Sequence, residues 1–320
     1  MEGYVLIDNE IVRGGYLIKH QPFAIGDAMR EDVQNIQLPL SEGSINSAFS
    51  HVSVQILAAA MRNHPLLYAL GMGGIHTPLP TALKGMGWTT KLVPFFFRVI
   101  RPAAFLRNIR ILRTTALRRL ALDVAAATGV GQLGLGSIHA ALTRHTSRQP
   151  QAQIVSRFGS WADEIWKQAR SAYSLVALRD ANELNNLYAE ADRRPIRLRV
   201  TCAGQSVGWA VVFDTQLSRH KQFGDMRLGS IVDCFALRGH EAAVVEAATN
   251  HLASRGVDLI ISNQSHIAWR DALRRQGYLT GRSNYGLAVS RGLVTALAPW
   301  DINVDRIHMT RGDGDGPIHL

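Results

Sequence analysis

Asp233, His240 and His266 are the side chains best suited to move a proton, a carboxylate and two imidazoles close together in the sequence, with Glu42 a further candidate near the start. Asp233 lies in the strand-like run Ile231-Val-Asp-Cys-Phe-Ala-Leu237, where alternation turns it away from Val232 and Cys234, toward a cleft or a polar edge. His266 follows Asn263-Gln-Ser and is equally placed to cap the next helix. Cys234 has no His-Asp arrangement that spacing can supply, so it reads as a small buried side chain rather than a nucleophile. Two strand-to-helix turns could offer an anion backbone N–H groups and the positive end of a helix. Arg238-Gly239-His240 adds a cation to one; Ser41-Glu42-Gly43-Ser44 makes the other, where Glu42 would repel an anion. Each is also compatible with an ordinary turn that binds nothing.

The elements that position these residues follow from periodicity. Residues 196–200 and 208–213 are short β-branched and aromatic runs around Ala203-Gly204-Gln205-Ser206, which predicts a hairpin. A third strand over 229–237 leads into a helix with Val244, Val245, Ala248 and Leu252 on one face, stopped at Gly256. A buried strand over 257–262, a short helix over 267–276 and a closing strand over 285–290 complete the order β-β-β-α-β-α-β. The same order occurs earlier: strands over 4–8, 14–20 and 34–40, a helix reaching Met61, a strand over 66–71, a helix over 79–86 and a strand over 91–100. This is an internal duplication in which each copy would supply its own sheet and core. Residues 1–100 form the first copy, 101–157 a basic helical and glycine-rich connector, 158–298 the second copy and 299–320 a tail.

This order, with its central turn between Leu237 and Glu241, resembles the GNAT acyltransferase fold, and the fold class expected is α/β (α+β), two tandem GNAT-like domains, each a mixed, mostly antiparallel sheet flanked by helices. The resemblance implies that residues 231–237, with Phe235 and Leu237, run along the pantetheine arm of an acyl-CoA. Arg238, Gly239 and His240 then meet its pyrophosphate, and Asn263 marks a splayed strand end beside the thioester. It also implies Asp233 or His266 as base, with Tyr285, after Asn284, near the thioester sulfur. Tyr285 reads equally as a core aromatic, and the usual two-glycine loop is reduced here to Gly239 alone. The activity implied is transfer of an acyl group, acetyl first among them, from acetyl-CoA or another acyl-CoA to an amine or hydroxyl of a small-molecule or envelope precursor. A tandem pair also resembles the Fem-type transferases, which implies aminoacyl-tRNA as an alternative donor; a non-catalytic scaffold is the other. The first copy lacks the opening strand and helices of a complete domain of this kind, so the natural chain is expected to extend further at its N-terminus.

Of 320 residues, 47% are hydrophobic and 19% charged, a globular composition with ample core material. Cys202 and Cys234 are the only cysteines, too few for a disulfide framework, and no Cys/His spacing suggests zinc. Apolar runs are too short to span a bilayer, so a cytoplasmic location is expected. The net charge of +10 is concentrated: residues 43–122 contain no Asp or Glu and ten Lys or Arg. Residues 101–119 read as an arginine-studded helix able to meet tRNA or an anionic membrane surface, or to stand in solvent. Residues 143–153 are polar and suit a linker. In the tail, Asp313 and Asp315 suggest a calcium loop but lack an EF-hand's further ligands, and no metal site is assigned.

Overall fold

A computed structural model describes residues 1–129, 134, 137 and 149–314. The chain opens with β1 (Glu2–Asp8) and β2 (Ile11–His20), joined by Asn9 and Glu10, both at positive φ (49° and 66°), the geometry of a primed hairpin turn. Then come β3 (Phe23–Ile25), β4 (Ala28–Arg30), β5 (Val33–Ser41), helix α1 (Ser50–Asn63), β6 (Leu66–Leu70), α2 (Pro78–Gly85), β7 (Thr89–Leu92) and β8 (Phe95–Val99). Helix α1 buries Val52, Ile56, Leu57 and Ala60, spaced along one face, against Tyr16, Ile18 and Ile36 of the sheet.

Within the connector expected over 101–157, residues Gln151–Val155 form a strand, β9, that pairs with β11 (Ile196–Cys202). Between these two strands lie α5 (Ser160–Ala169), β10 (Leu175–Ala177) and α6 (Ala181–Leu187). There follow β12 (Gln205–Gln216), β13 (Arg227–Ala236), α7 (Glu241–Ser254), β14 (Leu259–Asn263), α8 (Ile267–Arg275), β15 (Leu279–Gly281) and β16 (Gly286–Val289), then α9 (Arg291–Ala296), α10 (Trp300–Asn303) and β17 (Ile307–His308). Gly256, at φ 78°, ends the second turn-and-helix unit as a left-handed glycine does.

The two large sheets exchange strands. One has the order β1-β2-β5-β6-β16-β7 and the other β15-β8-β14-β13-β12-β11-β9; a small sheet, β17-β10-β3-β4, joins them. Residues 91–100, read in sequence as one strand, divide at Pro94, and the two pieces enter different sheets. Proline offers no N–H to a ladder, and its carbonyl instead accepts Gln264 N–H at 3.4 Å and the Asn263 side chain at 3.3 Å. Strand β8 then pairs antiparallel with β14 and β15 of the second sheet, while β16 pairs with β6 and β7 of the first. Phe96 and Val99 of β8 are buried in the second copy's side of the molecule, so each copy completes the other's core.

The basic segment is also divided. Helix α3 (Pro102–Asn108) ends at Ile109, a single 3-10 turn spans Arg110–Leu112, and α4 (Ala116–Ala127) starts afresh with the Thr115 hydroxyl accepting Arg118 N–H at 3.3 Å. Of the glycine-rich connector, residues 130–133, 135, 136 and 138–148 lie outside the described residues, as does Asp315 of the tail.

Candidate active site

In each large sheet one parallel pair begins together and then parts. Strands β13 and β14 are in register from Leu228↔Leu259 to Ile231↔Ser262, after which β13 runs on to Ala236 without β14. Strands β5 and β6 pair from Val33↔Leu66 to Asn35↔Tyr68, after which β5 continues to Ser41. Each departing strand carries a bulge, at Val232 (Val211↔Asp233, then Val212↔Ile231) and around Leu38, which has φ 45°. A bulge bends the strand and raises its twist, which helps open the wedge.

The two wedges differ in what fills them. Residues 307–314 of the same chain run into the β13–β14 wedge. The His308 imidazole hydrogen-bonds the Cys234 carbonyl at 2.9 Å, Met309 N–H donates to Ser265 Oγ at 2.7 Å, and Thr310 Oγ1 donates to Asp233 at 3.1 Å. Asp313 and Arg179 form a buried ion pair there, and Arg179 Nε lies 2.9 Å from Asp233; all three side chains are fully buried. The segment then reaches the other sheet: the Asp313 carbonyl accepts from Tyr68 OH (2.9 Å) and Asn35 (3.2 Å), and the Gly314 carbonyl from Gln37 (3.2 Å) and Lys19 (3.3 Å).

Asp233 consequently has no seat for a substrate proton. Its oxygens accept hydrogen bonds from Tyr188 OH (2.8 Å), Thr310 Oγ1 and Cys234 N–H (3.0 Å) and form an ion pair with the Arg179 guanidinium. Burial pushes its pKa up, further than Arg179 pulls it down, with Asp313 adding to the rise. Burial also opposes ionisation of Asp313, but Arg179 and Thr310 N–H outweigh it and hold that carboxyl below the ordinary range. Lys19, on the opposite face, is lowered by desolvation. Burial drives the Cys234 thiol well above its usual value, and Gln264 Nε2 lies 3.4 Å from its sulfur, which leaves no thiolate for nucleophilic work.

The other expected site residues are dispersed. His266 caps α8, its Nδ1 accepting Ala268 N–H at 3.2 Å, and burial lowers its pKa to about 3. Phe235 is fully buried among Trp166, Tyr173 and Trp209, not along a ligand path, and the partly buried Leu237 packs on the same core. Arg238, Gly239 and His240 do precede α7, whose first turn carries Glu241, its pKa raised by burial against the opposing pull of the nearby backbone N–H groups. A carboxylate in this first turn competes with an external anion for the positive end of the helix. Asn263 accepts Arg311 Nε at 2.9 Å, and the Arg311 guanidinium lies 5.8 Å from the Tyr285 ring centre. Strand exchange carries Tyr285 to the first sheet, where its ring sits beside Gly71 at the end of β6.

The β5–β6 wedge opens instead into a cavity of about 330 Å³ between α1 and α2, lined by Leu40, Ser41, Ser44, Ser53, Met72 and Ala82 among others. Glu42, which alone would repel an anion here, is held by Arg13 at 2.9 Å. Across the sheet a groove of about 750 Å³, lined by Val5, Val12, Leu17, Leu38 and Ile45, shares Leu40, Ser41 and Ser44 with that cavity.

A comparison with solved structures finds two whose overall fold is similar. Saccharomyces cerevisiae N-myristoyltransferase with bound myristoyl-CoA superposes with a TM-score of 0.52 at 10% identity, over 87% of this chain and 63% of that one. A conserved protein of unknown function from Enterococcus faecalis V583, described as a probable N-acyltransferase, gives 0.52 at 10% identity over 92% and 63%. The chain has the GNAT acyltransferase fold. It spans about 63% of the length of these two structural neighbours. No protein-family model and no curated protein matches the sequence. At this identity the GNAT likeness concerns the fold, and activity must be argued from the site. Among the described residues no group of His, Cys, Asp and Glu is placed to hold a metal, and no helix is long and apolar enough to cross a membrane.

Sequence reasoning missed Arg179, Tyr188, Thr310, Lys19 and the facing set Asn35, Gln37 and Tyr68. Arg179 did leave a signal: it directly follows the apolar run Leu175-Val-Ala-Leu178.

Burial lowers His308, like His266, its pKa falling to about 4 from the ordinary 6.5. Between those values the unfolded chain takes up protons that the folded chain refuses. Stability is therefore complete above about pH 6.5 and falls as the pH drops, by about 3 kcal/mol for His308 alone near pH 4. His266→Asn, which can still cap α8, is expected to flatten this loss in urea titrations from pH 7 to 4. An unchanged slope would show that His266 does not contribute.

Proposed function

We propose that the chain transfers an acyl group from acyl-CoA to an amine or hydroxyl, with the cofactor bound in the first copy. What carries this reading is the β5–β6 wedge, which the described residues leave open on the side of α1 and α2, and its cavity of about 330 Å³, in a fold whose other wedge is entered by residues 307–314. Past Asn35 the β5 edge has no β6 partner, and an extended pantetheine arm with its two amides can pair with such an edge. Neutralised by Arg13, Glu42 no longer opposes phosphate near Ser41 and Ser44. In this reading Asp233 and His266 hold the chain in position, while Tyr285 lies beside the thioester end of the slot.

The adjoining apolar groove favours an acyl chain longer than acetyl, because burying each further CH₂ contributes about 0.8 kcal/mol. A ligand that binds only the folded state raises its melting temperature. Melting curves with CoA, acetyl-CoA and saturated acyl-CoAs of increasing length are expected to rise with chain length until the groove is full. A shift as large for CoA as for every acyl-CoA would remove the groove from the reading; no shift for any of them would remove the cofactor.

A further inference from the structure

Helix α4 is amphipathic in an unusual sense: among the described residues its apolar outer face has no protein against it. Leu122 and Ala126 turn inward to the cluster of Phe105, Leu106 and Ile109. Leu117, Leu120 and Val124, three and four residues apart, are 77%, 63% and 51% exposed, with Ile111 and Leu112 of the preceding turn also exposed at 60% and 45%. Beside this stripe lies a cleft of about 410 Å³ lined by Arg107, Arg110, Arg113 and Arg119, with Gly224 and Asp225 at its edge. The acids nearby are committed: Asp123 pairs with Arg113 at 2.7 Å, and Asp225 accepts Arg219 N–H at 2.8 Å. Arg110 lies 3.5 Å from the Arg219 carbonyl, and the Asp123 carboxyl is held below its ordinary range first by Arg113 and to a lesser extent by the nearby charge of Arg107.

We propose that this face docks on a bilayer containing anionic phospholipid, with Leu117, Leu120 and Val124 entering the acyl boundary and the arginine cleft taking a lipid phosphate. Charge complementarity identifies the partner class, since the cleft gathers Arg107, Arg110, Arg113 and Arg119 against the single carboxylate Asp225, with Asp123 already paired to Arg113. The exposed aliphatic stripe decides between lipid and nucleic acid. Arginines alone would serve RNA, which gains from aromatic platforms rather than from leucines, whereas a membrane interface accepts both features at once. The docking does not depend on which copy binds acyl-CoA.

Flotation of the full chain with vesicles tests it. Binding is expected to equimolar phosphatidylcholine and phosphatidylglycerol, not to phosphatidylcholine alone, and to weaken with salt. Leu117→Glu/Leu120→Glu is expected to abolish flotation, and Arg107→Gln/Arg110→Gln to weaken it about thirty-fold; all four positions lie in an exposed segment, and unchanged melting curves would confirm that the variants fold. Flotation that survives the leucine changes would overturn the proposal. So would retention of tRNA by the arginines without vesicle binding, or a dimer in solution that Leu117→Glu/Leu120→Glu converts to monomer.

Discussion

Arg179→Met is expected to cost about 3–5 kcal/mol of folding stability and to lower the melting temperature by about 10 °C. Arg179 is fully buried and stands between two fully buried carboxylates, Asp233 and Asp313. Removing the guanidinium leaves both acids in a low-dielectric site with no cation and in mutual repulsion. The expected loss is a large share of the ~5–15 kcal/mol that holds a typical domain together. It acts at a junction: Asp313 leads to the carbonyls gripped by Tyr68, Asn35, Gln37 and Lys19, so losing the pair frees residues 310–314 from both sheets. Arg179→Met with Asp233→Asn and Asp313→Asn is expected to recover much of the loss, because the uncompensated charges are then gone. A single variant within about 1 kcal/mol of the parent in urea titrations would show that the cluster is not what holds the segment.

The second large effect concerns the slot. Ser53 lines the cavity from α1, and tryptophan at that position places an indole where the pantetheine arm would run. Ser53→Trp is expected to eliminate acyl-CoA binding and to lower any transfer rate by about a hundred-fold or more, since the thioester can no longer be positioned. Ala82→Leu, on the facing helix α2, narrows the same space by less and is expected to act in the same direction with a smaller effect. By contrast, Arg238→Ala and His240→Ala alter a turn whose helix already carries the Glu241 carboxyl in its first turn, and are expected to leave binding within about two-fold.

How much of this was legible in the sequence depends on how local each signal is. The long strands and the helices α1, α2, α7 and α8 are carried by side-chain period and by turn residues such as Asn9-Glu10 and Gly256, so these elements were readable and the GNAT fold with them, whereas the short β3, β4, β10 and β15 left no such signal. The strand exchange was not. Apolar residues around Pro94 continue as one run, and nothing in Phe95-Phe-Phe-Arg-Val99 distinguishes pairing with β14 from pairing with β6. The division of the basic segment at Ile109–Thr115 was similarly masked, because its arginines and leucines keep a near-helical spacing through the break. Which wedge is open depends on a contact between residues far apart in sequence: Arg179 and Asp313 are separated by 134 positions. Asp313 therefore read as half of a cation loop, and Asp233 as a base, when each is one side of a buried ion pair.

Titration of acyl-CoA against Ser53→Trp and against Arg238→Ala/His240→Ala, followed by isothermal calorimetry beside the parent chain, tests the central claim most directly. Heat of binding lost in the first variant and kept in the second is the result that places the cofactor between α1 and α2. Binding kept in Ser53→Trp and lost when the turn before α7 is changed would place it in the second copy and contradict that assignment.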